Sequence, residues 1–176
     1  MAAAAREMPS ASDAAAPATS SAAPAFSSTM SRPELTELVA KALGMLGSER
    51  AWVVHGADGL DEISTTGYTK VSEARGRSVR TFYVHPADAG LPKASLTDLA
   101  GGDAAENAAI ARRILAGAKG PGRDIVLLNA GAALLVAGAA ASLAEGLARA
   151  AAAIDRGAAT ATLEQLIATS HHGASI

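Results

Sequence analysis

Apolar positions along this chain change their spacing several times, and each change marks an element. Leu35, Leu38, Val39, Ala42 and Leu46 recur with helical period and predict one apolar helix face reaching to about Gly47. Ser31 as a cap, Pro33 near the first turn and Glu34 behind it supply the chemistry of a helix start. Ala51-Trp-Val-Val54 is a short apolar run rich in bulky β-formers, which predicts a buried strand. Residues 69–74 and 78–84 alternate and predict an antiparallel hairpin turning at Arg75-Gly-Arg77. Pro86 has no N–H to donate and ends regular pairing, so residues 86–102 read as a connection. A helix followed by a strand is one unit of a layered α/β fold.

From there on the period is helical. Asp103 can cap a helix running to about Ala116, where Gly117 stops it, so Gly101-Gly-Asp103 reads as a helix entry. Residues 123–138 are apolar enough to raise the question of a membrane span. Asn129, two glycines and an excess of alanine point instead to a buried helix with close-packed neighbours. Asn129 itself reads as an internally hydrogen-bonded amide, with a functional contact as the alternative. Ser142-Leu-Ala-Glu145 has the capping-box pattern and opens a helix ending near Gly157. Thr160 or Thr162 opens a last helix through Ile167, and His171 and His172 fall in a frayed end, with metal binding as the alternative.

Between the first strand and the hairpin lies His55-Gly-Ala-Asp-Gly-Leu-Asp-Glu-Ile-Ser64. Gly56 and Gly59 permit a sharp turn and a close backbone approach. Asp58, Asp61 and Glu62 fall within five residues of one another. In an open α/β sheet ligands collect beyond the carboxyl ends of strands. Mg²⁺ prefers hard oxygen donors and takes only one or two carboxylates, leaving the rest to phosphate and water. A polar turn whose acids merely face solvent is the alternative on spacing alone. No Ser-His-Asp array and no phosphate loop ending in Gly-Lys-Ser/Thr is present.

Composition narrows the classes further. The chain has 176 residues, enough for one domain of ordinary size. Apolar residues make up 49% but aromatics only 3%, so the core must come from Leu, Val and Ile rather than from alanine. A formal charge of −2 with interspersed signs gives no basic footprint for nucleic acid. The absence of cysteine excludes disulfides and thiolate chemistry. Residues 1–31 are nearly all Ala, Ser, Pro and Thr and read as a disordered tail, with a targeting leader as the alternative.

The acidic loop and Gly67-Tyr-Thr-Lys-Val-Ser-Glu73 carry a resemblance. It continues through Gly101-Gly-Asp-Ala-Ala-Glu-Asn107, Gly120-Pro-Gly-Arg-Asp124, Val126-Leu-Leu-Asn-Ala130, Ser142-Leu-Ala-Glu-Gly146 and Ala153-Ile-Asp-Arg-Gly157. Over roughly residues 33–170, in uninterrupted order, the chain resembles the second half of anthranilate phosphoribosyltransferase. The resemblance implies an α/β fold, a partial nucleoside phosphorylase/phosphoribosyltransferase-like domain with one core strand plus a β-hairpin packed by several helices. Its expected limits are 32–170, between the tail 1–31 and the frayed end 171–176.

The same resemblance implies transfer of phosphoribosyl from phosphoribosyl pyrophosphate to anthranilate in tryptophan biosynthesis. Asp61 and Glu62 would hold Mg²⁺ on the diphosphate, and His55, Gly56 and Asp58 would lie against substrate. The family's first half supplies a Gly-Thr-Gly-Gly-Asp phosphate loop, a Lys-His-Gly-Asn segment and an arginine for anthranilate. Neither motif occurs here, and Gly101-Gly-Asp103 aligns with a later one. The expectation is therefore a truncated transferase, weak or inactive alone. The alternative is a non-catalytic half-domain or binding module that needs a first-half polypeptide. A homodimer or that polypeptide is the expected protein partner, with no nucleic acid and no membrane. The expected location is cytoplasmic, with organelle targeting through residues 1–31 as the alternative.

Overall fold

Two β-strands joined by a two-residue turn form the centre of the structure, a computed structural model that describes residues 33–172. The expected tail 1–31, with its capping Ser31, lies outside the described residues. Strands β2 (Thr69–Arg75) and β3 (Ser78–Val84) pair antiparallel with Arg75 opposite Ser78. Gly76 opens the turn at φ +53°, a conformation that glycine adopts without a Cβ penalty. Strand β1 (Arg50–Gly56) adds antiparallel to the other side of β2, giving a three-stranded sheet in the order β1-β2-β3. The rule for ligands at the carboxyl ends of parallel strands therefore does not place the acidic loop. Residues 57–68 are instead the long connection between antiparallel neighbours.

Alternation along the strands divides the sheet's two faces. Trp52, Val54, Val71 and Val84 join Leu127, Leu128, Ala132, Leu147 and Ile154 in the main core, against α3 (Pro121–Val136) and α4 (Leu143–Asp155). Ala51, Val53 and Ala74 form a smaller cluster under α1 (Leu35–Met45). Here the structure corrects the expected helix face. Thr36, Ala40 and Gly44 are buried on the sheet, with Leu35, Val39 and Leu43 flanking them, whereas Leu38 and Leu46 are 63% and 83% exposed. Ala42 is exposed too. The sheet offers small side chains on that face, and a small-residue stripe lets the helix approach closely. A Cβ on Gly44 would collide with the Gly76 carbonyl oxygen.

The helical half follows its caps. Asp103 accepts from the Glu106 N–H at 2.9 Å and Glu106 reaches back to the Asp103 N–H at 2.9 Å, opening α2 (Ala104–Leu115). Ser142 caps α4 by accepting from the Glu145 N–H, while Glu145 takes the N–H of Ala141 instead of that of Ser142. Helices α3 and α4 touch backbone to backbone: a Cβ on Gly146 would strike the Gly131 carbonyl. The last helix, α5, runs Ala158–His172, starting before Thr160 and passing beyond the expected stop at Ile167. Residues 86–102, read as plain loop, contain two single 3₁₀ turns at Pro86–Ala89 and Leu96–Leu99. Among the described residues no helix is long and apolar enough to cross a membrane.

A buried carboxylate interrupts the main core. Glu73 is fully buried, between Trp52 on β1 and Arg80 on β3. Burial opposes its ionisation, but hydrogen bonds from Trp52, Arg50 and Arg80, and the charge of Arg50, hold its pKa down from 4.5 to about 2.

Candidate functional site

The acidic loop is shaped from within by one of its own acids. Its base is closed by the Ala57 N–H donating to Tyr68 O at 3.0 Å and by the Ser64 N–H donating to Thr69 Oγ1 at 2.9 Å. The Gly56 N–H donates to Leu60 O at 2.9 Å, and the Gly59 N–H to Gly56 O at 3.0 Å. Inside this turn Asp58 Oδ1 accepts from the Leu60 N–H at 3.1 Å, and Oδ2 accepts from the hydroxyls of Ser64 and Thr66. Partial burial opposes the charge on Asp58, yet these donors hold its pKa below the ordinary carboxylate value. Asp58 is thus an ionised hub of the loop. A Cβ on Gly56 would run into Asp58 Oδ1, so the loop itself requires glycine there.

A second brace comes from α3. Asn129 Oδ1 accepts from the Ile63 N–H at 2.9 Å, and Nδ2 donates to Ile63 O at 2.8 Å and to Ile125 O at 3.0 Å. One N–H and two carbonyls fix which way the amide faces. Asn129 is internally bonded, as the sequence indicates, but its main partner is the residue next to Glu62. Periodicity placed it on a core helix and gave no sign of that partner.

Between the two braces stand Asp61, half-buried, and Glu62, exposed. Glu62 lines a cleft of about 260 Å³ together with Leu60, Asp98, Gly101, Asn107 and Ile125. The Asp98 carboxylate is already engaged by Ser95, through its N–H at 2.8 Å and its hydroxyl at 2.7 Å. Asn107 bonds the Gly102 backbone at both its N–H and its carbonyl, 2.9 Å each. The Gly101-Gly-Asp103 segment is therefore a helix entry on the wall of the cleft. His55 stands in β1 opposite Lys70, with Nδ1 buried and without a hydrogen-bond partner. Alternation puts its side chain on the α1 face with Ala51 and Val53.

The donor set fits Mg²⁺ better than a tighter-caged ion. Among the described residues no group of three or more His, Cys, Asp or Glu side chains could hold a metal. Two adjacent carboxylates on a braced loop match an ion that keeps most of its shell for phosphate and water.

Comparison with known proteins shows the family of the chain. The profile described as "Glycosyl transferase family, a/b domain" matches residues 17–160. The anthranilate phosphoribosyltransferase of Moorella thermoacetica is 57% identical over 103 residues, covering 58% of this chain and 30% of that protein. That of Parvibaculum lavamentivorans is 58% identical over 132 residues, covering 75% and 39%. The chain thus spans about a third of the length of these curated relatives. Among solved structures, the Thermus thermophilus enzyme superposes with a TM-score of 0.71 at 41% identity, covering 78% of this chain and 40% of that one. The Saccharomyces cerevisiae enzyme in complex with PRPP and Mg gives 0.69 at 30% identity, covering 76% and 39%. With the profile spanning most of its length and the α/β architecture in agreement, this chain belongs to the glycosyl transferase family, as a member of its a/b domain.

Proposed function

We propose that the chain contributes the diphosphate-facing loop of a phosphoribosyl-transfer site, with phosphoribosyl pyrophosphate as donor and anthranilate as acceptor. The observation that supports this reading is the rigid presentation of Asp61 and Glu62 between the Asp58 hub and the Asn129 clamp. In the reaction the anthranilate amine forms a bond to ribose C1 while the C1–O bond to pyrophosphate breaks. The electron pair leaves with the diphosphate and the amine gives up a proton. Mg²⁺, when bound, supplies Lewis-acid stabilisation of the leaving charge. Asp61 and Glu62 would hold the ion, Asp58 and Asn129 keep those two carboxylates in place, and the Gly56 backbone and His55 flank the loop at the end of β1.

A half-site reading goes with it. The order β1-β2-β3 leaves β1 at an edge, yet Ala51–Val54 are all buried, and so apolar an edge is what a further strand covers. We infer that activity requires the phosphate-loop and anthranilate contacts of a first-half polypeptide. The 176-residue chain alone is expected to give no phosphoribosyl anthranilate above background, and mixing with the first half is expected to restore it. Calorimetry on the reconstituted protein then tests the loop. Replacing Asp61 by Asn and Glu62 by Gln together is expected to abolish the Mg²⁺-dependent part of phosphoribosyl pyrophosphate affinity. Unchanged metal-assisted affinity refutes the assignment, and turnover by the chain alone that is sensitive to Asp61→Ala refutes the half-site reading.

A further inference from the structure

At the end of β1 away from the acidic loop, three arginines surround one carboxylate. Glu73 Oε1 accepts from Arg50 Nε at 2.8 Å and from Trp52 Nε1 at 2.9 Å, with Arg75 Nε at 3.3 Å; Oε2 accepts from Arg80 Nε at 2.5 Å. Every guanidinium thus turns its Nε inward. Arg50 also donates Nη1 to Leu135 O at 2.6 Å. Aromatic rings fix two of the planes, Arg80 lying 5.0 Å from the Phe82 centroid and Arg50 5.8 Å from that of Trp52. The side chains of Arg75 and Arg80 are 60% and 65% exposed, and Glu73 is their only ion-pair partner among the described residues.

Neutralising Glu73 needs one arginine, not three. The surplus charge lies along an open cleft of about 550 Å³, within the range of small-ligand sites. Beside the arginines its wall is apolar, formed by Phe82, Val84, Leu135, Ala140 and Leu143. Asp88, the acid on its lining, is engaged by the His85 N–H at 2.8 Å. Arg50 and Gly56 are opposite ends of β1, so the cleft lies roughly 20 Å from the acidic loop at about 3.3 Å per residue.

We propose that this cleft binds a small amphiphilic anion, a phosphate or carboxylate head on a short apolar body, with the outward edges of Arg75 and Arg80 on the head and the Leu135–Leu143 wall against the body. Glu73 acts as the template: it takes the Nε of Arg50 and Arg80 in hydrogen bonds and pairs with that of Arg75, which leaves the Nη groups of the two exposed arginines, Arg75 and Arg80, for a ligand. Such a paired guanidinium edge matches the geometry of an oxyanion.

The chain carries its own reporter, because Trp52 is the only tryptophan and lines the cleft. Titrating the 176-residue chain with n-butyl phosphate, and separately with pentanoate, is expected to change Trp52 emission saturably with at least one of them. The pair distinguishes a phosphate from a carboxylate head. Inorganic phosphate and n-butanol are each expected to bind at least tenfold more weakly than the better probe. Replacing Arg75 and Arg80 by Gln together is expected to weaken binding at least tenfold with circular dichroism unchanged, while Asp61→Asn leaves the titration as it was. Should the double variant fail to fold, Arg75→Gln alone, at the most distant of the four Glu73 contacts, is expected to lose threefold or more. No saturable response, a response that survives these substitutions, or equal affinity for inorganic phosphate overturns the proposal.

Discussion

Removing the Asn129 side chain cuts two hydrogen bonds between α3 and the acidic loop. Asn129→Ala deletes the bonds to the Ile63 N–H, Ile63 O and Ile125 O. The Ile125 bond lies within α3, so at about 1 kcal/mol net each the two bonds to Ile63 amount to about 2 kcal/mol of anchoring. Ile63 is 2% exposed, so its N–H cannot turn to water while the loop stays in place. The loop therefore either carries an unpaired buried donor or lifts away from α3. Lifting is a local opening, read by hydrogen exchange at the Ile63 amide. A loss of about 2 kcal/mol corresponds to exchange faster by roughly 30-fold, at tenfold per 1.4 kcal/mol. Asn129→Asp sharpens the test. Its carboxylate can accept from the Ile63 N–H but faces two carbonyl oxygens with no hydrogen to offer, so it is expected to be no better than alanine. Mg²⁺ affinity of the reconstituted protein is expected to fall in both variants although Asp61 and Glu62 are intact. An Ile63 exchange rate that changes less than about fivefold, or an Asp variant matching the parent, refutes the clamp.

Three further outcomes separate structure from chemistry. Gly146→Ala gains about 1 kcal/mol of helix propensity, but its Cβ would meet the rigid Gly131 backbone, an overpacking of about 1–3 kcal/mol or more; urea melts are expected to show a net loss, while Gly122→Ala, which meets only the tip of Ile114, is neutral or better. Glu73 has a folded pKa of about 2 against 4.5, so its contribution of about 3 kcal/mol is complete above pH 4.5 and lost as pH falls from there toward 2. Glu73→Gln is expected to flatten that part of the acid-denaturation profile while lowering stability at neutral pH, because the arginines around it lose their counter-charge. Asp58→Ala is expected to lower the melting midpoint by removing three loop hydrogen bonds, about 3 kcal/mol, whereas Glu62→Gln leaves the midpoint unchanged and weakens Mg²⁺ binding.

Sequence alone determined what depends on neighbours along the chain. The hairpin at Gly76, the Asp103 and Ser142 caps and the placement of the acidic loop between β1 and β2 all follow from contacts spanning a few residues. The ordered motifs identified the family for the same reason, since each is a short local string. Tertiary structure decided whatever depends on what a residue meets from far away. The α1 pattern favoured a leucine face, but the sheet below offers Ala51 and Ala74, and the row Thr36, Ala40 and Gly44, small at three successive turns of one face, seats the helix there. Asn129 lies 66 positions from Ile63, so no local pattern could assign its partner. Glu73 reads as one more polar position in an alternating strand; cross-strand register sets it between Trp52 and Arg80 and brings Arg50 and Arg80 to join Arg75, two residues along its own strand. Local hydrogen bonding and period fix where elements begin and end, but steric fit and charge pairing between distant segments choose which faces meet.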